Sequence, residues 1–219
     1  MSTTKYIPAL RYKWLTPLYD FFINLTMPEK KIKRALIEAA NISAKMKVLD
    51  FGCGTATLTI MIKDLYPEAK VTGIDVDREI LNKAIQKVKE RRLDIFLLDY
   101  DSSHLPFQNK AFDRILSCLV FHHLDTDAKK KALTEAFRIL GNNSELLIAD
   151  FGRSKSWLQR TLFNIIRGLD GYKSTEANAK GLLPELIEEA GFEKIVIRKH
   201  FKTVFGEVQI IGAEKMYSD

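Results

Sequence analysis

The 219-residue chain is poor in cysteine: it has only Cys53 and Cys118. Two such residues make no disulfide framework and no CxxC metal pair, so no metal centre is expected. No apolar run reaches the roughly 18 residues of a membrane-spanning helix. The opening stretch, Met1-Ser2-Thr3-Thr4-Lys5-Tyr6, has no apolar signal-peptide core. Internal repeats, low-complexity segments and zinc or RNA-binding signatures are also missing. Together these absences set the expectation of a cytoplasmic protein with no nucleic-acid partner and no integral membrane contact. Peripheral membrane contact stays open, and oligomeric state is not readable.

What is present is ordinary for a globular protein: 46% hydrophobic and 28% charged residues. The length suits one domain over residues 1–219 with a sizeable core. The net charge of +6 would suit an acidic partner, but a solvated basic surface is the simpler reading.

The N-terminal residues 1–27 are rich in aromatics, with Tyr6, Tyr12, Trp14, Tyr19, Phe21 and Phe22. They are expected to form a lid-like arm over a cleft. From Pro28 a helix is expected to run to Asn41, with Ile32, Ala35, Leu36 and Ala39 inward and Lys30, Lys31, Lys33 and Arg34 in water. Strands are predicted over about 46–51, 70–75, 94–99, 112–119 and 145–150. Helices alternate with them. One covers about 56–65, with Leu58, Ile60, Ile62 and Leu65 on its apolar stripe. One is capped by Asp77 and carries Ile80, Leu81, Ala84, Ile85 and Val88. One runs from Thr126 or Asp127 through Leu133 and Ala136, and Gly141 is expected to stop it.

Residues 152–178, which include Trp157 and Tyr172, break this rhythm and read as a helical insertion near the sheet edge to which the strand-ending loops lead. A last helix is expected over about 179–190. Two strands, about 193–201 and 204–214, follow with too short a connection for a crossover, so they must be antiparallel.

The alternation argues for an α/β fold with a mostly parallel sheet and helices on both faces. Right-handed crossovers then bring every loop that follows a strand to one sheet edge, where Asp50, Asp75, Asp99, Asp101 and Asp150 converge.

The most informative stretch is Lys47-Val48-Leu49-Asp50-Phe51-Gly52-Cys53-Gly54-Thr55, a strand running into a glycine turn. Glycine lets a ligand approach the backbone closely, and the helix that follows offers unpaired N–H groups. Asp75 ends the next strand about 20 residues on, where an acid accepts hydrogen bonds from ribose hydroxyls.

These stretches resemble the motifs of class I S-adenosylmethionine-dependent methyltransferases. Val48–Thr55 resembles the first motif and Gly73-Ile74-Asp75-Val76-Asp77 the second. Asp101 with Leu105-Pro106-Phe107 and Phe112-Asp113 resembles the third. Leu119-Val120-Phe121-His122-His123-Leu124 resembles the segment after it. Arg138-Ile139-Leu140-Gly141 with Leu146–Asp150 resembles the fourth. Leu15-Thr16-Pro17-Leu18-Tyr19-Asp20 is loosely similar to the ubiquinone/menaquinone methyltransferase group. Two departures stand out. Ala56 replaces the usual third glycine, which a helical position would tolerate, and Gly141-Asn142-Asn143 replaces a Gly-Pro-Gly turn.

The resemblance implies a Rossmann-like sheet of seven strands with the last antiparallel, and S-adenosyl-L-methionine as cofactor. It implies that Gly52, Cys53 and Gly54 cradle the methionine end, with Asp50 supporting the turn. Asp75 then takes the ribose hydroxyls, and Val76 packs on the adenine. Asp101 accepts the adenine amine beside Ser102, Leu119 lies near the methionyl group, and Tyr19 closes over the cofactor. It further implies His122 as the acceptor-facing catalytic residue and His123 as a packed, hydrogen-bonded one.

The expected reaction is methyl transfer to a small, partly apolar acceptor: phenol- or quinone-like, amine or lipid-like. Two alternatives stand beside it, the first of which uses the same turn and acid. An NAD-dependent oxidoreductase is disfavoured because the third glycine of its fingerprint would fall at Thr57. A non-catalytic cofactor-binding or RNA-binding protein is the other.

Overall fold

In the computed structural model, residues 28–100, 104–152, 181–203 and 206–216 are described below. The elements are α1 (Glu29–Ala39), β1 (Lys47–Phe51), α2 (Thr57–Leu65), β2 (Lys70–Asp75), α3 (Arg78–Glu90), β3 (Ile95–Asp99) and β4 (Phe112–Cys118). A 3₁₀ turn (Phe121–His123) follows, then α4 (Thr126–Ile139), β5 (Leu140–Phe151), α5 (Leu183–Glu189), β6 (Glu193–Thr203) and β7 (Gly206–Lys215). No helix among the described residues is long and apolar enough to cross a membrane.

The strands form one seven-stranded sheet in the order β3-β2-β1-β4-β5-β7-β6. All pairs are parallel from β3 to β5, while β7 runs antiparallel to both β5 and β6. The expected fold is borne out. The strand order reverses between β1 and β4, and at such a switch point the loops leaving two strands diverge and open a crevice.

Alternation along the strands sorts the core into two layers. Leu49, Ile115, Leu146, Ile148 and Ile211 pack on α4 and α5. Their neighbours Val48, Leu116, Leu147, Ala149 and Ile210 pack on α1 and α2. Asp77 caps α3 as expected, accepting from the backbone N–H groups of Glu79 and Ile80.

Several local expectations need correction. Lys33 does not face water: its side chain is 12% exposed and pairs with Glu29. Leu65 and Ile85 lie outside the buried stripes, 50% and 44% exposed. Both are sterically free to face solvent, because a helix stripe fills only part of the circumference. Gly141 does not end α4 in a turn. The chain passes directly from Ile139 into β5, where Leu140 pairs with Phe112. Of Gly141, Asn142 and Asn143, only Asn143 takes a left-handed φ, +53°, a conformation asparagine tolerates. The N-terminal arm 1–27 and almost all of the insertion 152–178 lie outside the described residues.

Candidate active site

The site is built from the loops that leave β1, β2, β4 and β5 on one sheet edge. The turn after β1 is held against β2, because Gly52 and Cys53 N–H both donate to the Ile74 carbonyl at 2.9 Å. Gly52 has φ +75°, and a Cβ there would lie 2.4 Å from Val120 Cγ2, in the loop after β4. Only glycine therefore lets the two loops of the switch point meet. Gly54, with φ +53°, is different: a Cβ on it would meet no atom within 4 Å.

Asp75 bridges the loops after β1 and β2. Its Oδ2 accepts from Gly54 N–H at 2.7 Å and its Oδ1 from Asp77 N–H at 2.9 Å. An ionised carboxylate has about four acceptor positions, so it keeps capacity for ligand hydroxyls. Beside it Val76, 37% exposed, presents an apolar surface.

Beneath the turn, Asp50 is 1% exposed and accepts from Thr59 Oγ1 at 2.6 Å. Burial pushes its carboxyl up to about 6; the Thr59 hydrogen bond and the Lys33 charge oppose that rise, and Asp75 adds to it. Two mutually repelling carboxylates suit a ligand that carries positive charge. Burial likewise raises the Cys53 thiol well above its usual range and pushes Cys118 up to about 12, so neither is a thiolate nucleophile.

Two of the left-handed non-glycine residues, Leu119 and Ala56, lie at this edge. Leu119 has φ +60°, an uncommon state for a bulky side chain, and its N–H donates to the Ala149 carbonyl at 2.8 Å. Ala56 has φ +58° and is the N-cap of α2. It is therefore not in the helix, and the condition under which its methyl would be unstrained is not met. Such strain is kept where packing over-determines it, commonly at functional sites.

The 3₁₀ turn carries His122 and His123, whose rings lie 3.9 Å apart. The expected burial is exchanged: His122 is buried and hydrogen-bonded, whereas His123 is exposed. His122 Nδ1 lies 2.9 Å from Asp150 Oδ1, its backbone N–H donates to Asp150 Oδ2 at 3.2 Å, and its ring packs edge-on against Phe151. The second histidine was expected to pack because the first was assigned to the acceptor, but the turn directs the first back onto β5. Burial would raise Asp150, but the His122 charge and hydrogen bond and the Phe151 N–H hold it below the usual carboxylate range. An ionised Asp150 only accepts, so Nδ1 donates to it, and in the uncharged form of the ring Nε2 holds the lone pair. The charge of His122, with desolvation, pushes His123 down to about 3; because this ring is exposed, the neighbouring charge is the stronger cause.

Lys129 is fully buried and donates to the Leu124 carbonyl, tying α4 to the histidine turn. Burial pushes its ammonium down to about 8.

The structure thus brings together Asp50, Gly52, Cys53, Gly54, Asp75, Val76, Leu119 and His122. Tyr19, Asp101 and Ser102 lie outside the described residues. Sequence reasoning missed the partnership of Asp150 with His122, and it missed Thr59, Lys33 and Lys129. Lys129 had a signal, since it sits four residues before Leu133 on the buried stripe of α4. The His122–Asp150 contact joins residues 28 apart, and Thr59 and Lys33 act on Asp50 from neighbouring helices, so none of these has a local periodic signal.

Residues 48–143 match the methyltransferase domain family. A demethylmenaquinone methyltransferase of Porphyromonas gingivalis is 32% identical over 187 residues, covering 82% of this chain and 74% of that protein. The chain belongs to the class I S-adenosylmethionine-dependent methyltransferases. The demethylmenaquinone methyltransferase of Thermus thermophilus is 29% identical over 185 residues, covering 82% of this methyltransferase and 81% of that one. A SAM-dependent methyltransferase from Aquifex aeolicus shares the fold at a TM-score of 0.64 and 20% identity, over 87% and 95% of the two chains. Enzyme class and cofactor follow, and the oxidoreductase and non-catalytic alternatives fall.

The methyltransferase's own residues fit that cofactor. Open space faces Gly54, Asp75 retains acceptor capacity, Val76 offers an apolar face, and two carboxylates favour a cationic ligand.

Proposed function

We propose that this methyltransferase acts on a small, partly apolar acceptor of the reduced-quinone or phenol kind, with His122 as general base. The observation that carries the reading is the His122 Nδ1–Asp150 Oδ1 contact of 2.9 Å between two buried groups. When bound, S-adenosyl-L-methionine supplies a methyl group already activated on a positively charged sulfur. Gly52, Cys53 and Gly54 hold its methionine end over the turn that Asp50 supports. Asp75 accepts from the ribose hydroxyls, Val76 packs on the adenine, and Leu119 borders the methionine end. Asp101, Ser102 and Tyr19 complete the binding set.

His122 then takes a proton at Nε2. Asp150 orients the ring, fixes the tautomer and stabilises the imidazolium that forms. Such a base matters for a phenol or hydroquinone, whose hydroxyl must lose a proton as the ring attacks or the oxygen is methylated. An amine can lose its proton to water. The methyltransferases of similar sequence act, by their names, on demethylmenaquinone, which supports a quinone-like ring here.

The test is labelled-methyl transfer to a panel: a 2-alkyl-1,4-naphthalenediol, a catechol, a primary arylamine and phosphatidylethanolamine vesicles. The hydroxylated rings should be methylated with the highest kcat/KM. Preferred methylation of the amine or the vesicles would reject the assignment.

A further inference from the structure

At the same sheet edge, β7 carries a carboxylate that the chemistry above does not use. Glu207 Oε1 lies 3.1 Å from His200 Nδ1 on β6, and the Glu207 side chain is 14% exposed. Its second oxygen, Oε2, is buried and has no hydrogen-bond partner, alone in this among the side-chain nitrogens and oxygens of the described residues. Buried acceptors are nearly always satisfied, because leaving one unmade forfeits its solvation without return.

The sheet register places this group. Gln209 pairs with Asp150 on one side and with His200 on the other. Residues paired across strands share a face, and so do residues two apart along a strand. Glu207, Gln209, His200 and Asp150 therefore lie on one face, the one on which His122 meets Asp150. The Glu207 carbonyl also accepts from Gly152 N–H at 2.9 Å, which sets Glu207 just beyond the end of β5. A diagonal neighbour at that position lies about 7–8 Å from Asp150, a separation that one aromatic ring system can span.

We propose that the Glu207–His200 pair is a subsite for a hydrogen-bond donor on the methyl acceptor, a hydroxyl or an ammonium group remote from the methylated atom. This rests on the acceptor side of the proposed function, with His122 at the reacting end. His200 holds one carboxylate oxygen, and the acceptor's donor satisfies the other. The terminal torsion of glutamate is broad, so a modest rotation brings the unpaired oxygen toward the exposed side.

The test is equilibrium binding of three probes with one aromatic body to the full-length protein saturated with S-adenosylhomocysteine. The probes are 1-naphthol, 1-naphthylmethylammonium and 1-methoxynaphthalene. Wild type should bind one of the two donor probes at least tenfold more tightly than the methyl ether; which one identifies the donor as hydroxyl or ammonium. Glu207→Leu should abolish that preference, and the milder Glu207→Gln should reduce it at least threefold. Equal binding of all three probes, no binding of any, or an undiminished preference in Glu207→Gln would overturn the proposal. A failure of S-adenosylhomocysteine itself to bind would count instead against the cofactor reading.

Discussion

Asp150 accepts twice from His122, once from the backbone N–H at 3.2 Å and once at the ring Nδ1 at 2.9 Å. The pair joins the loop after β4 to the end of β5, and among the described residues the other ring nitrogen has no hydrogen-bond partner. An amide in place of the carboxylate can donate as well as accept, so it no longer dictates which nitrogen carries the proton. Asp150→Asn should lower kcat by about 10²–10⁴, the range for loss of general base catalysis. Affinity for S-adenosylhomocysteine should change little, because the pair lies on the acceptor side. Steady-state kinetics with calorimetry checks both, and an unchanged kcat would show that the dyad only supports the fold.

Asp50 makes stability depend on pH in an unusual direction. Its folded carboxyl binds a proton more tightly than in the unfolded chain, since burial raises it to about 6. The stability it contributes is thus full below about pH 4 and is lost as pH rises through 6. A displacement of about two units corresponds to about 3 kcal/mol. Asp50→Asn keeps an acceptor for Thr59 and does not titrate. Between pH 4 and pH 7 its unfolding free energy, relative to wild type, should rise by about 2 kcal/mol in urea denaturation. A pH-independent difference would contradict the assignment.

The two glycines of the first turn should fail in different ways. Gly52→Ala drives a methyl into Val120 and strains a φ of +75°. It should cost about 2–4 kcal/mol of stability, from overpacking and left-handed strain together. Gly54→Ala meets no neighbour, so its cost should be about 1–2 kcal/mol from strain alone. Its methyl enters the space beside the N–H that Asp75 holds, and S-adenosylhomocysteine should bind at least tenfold more weakly. Wild-type affinity in Gly54→Ala, measured by calorimetry, would remove that space from the cofactor site.

Local pattern carried much of this structure. Period-two and helical repeats place the strands and helices within a few residues, and the spacing from Gly54 to Asp75 marks the ligand edge, because each signal lies within one or two consecutive elements. What stayed hidden depends on tertiary contact. Lys33 pairs locally with Glu29, four residues earlier on its helix, but its field at the buried Asp50 is seen only once the helix is packed on the sheet. The roles of His122 and His123 were divided by analogy. Which of two adjacent rings turns inward is decided by Asp150, 28 residues later in the chain. The left-handed Ala56 gives no sequence signal beyond the glycine it replaces.

The most direct test of the account is the rate of labelled-methyl transfer from saturating S-adenosylmethionine to a 2-alkyl-1,4-naphthalenediol, in wild type and in His122→Asn. The account predicts transfer by wild type and a fall of about 100-fold or more in the variant, with S-adenosylhomocysteine affinity within twofold of wild type. A wild-type rate in His122→Asn would contradict it.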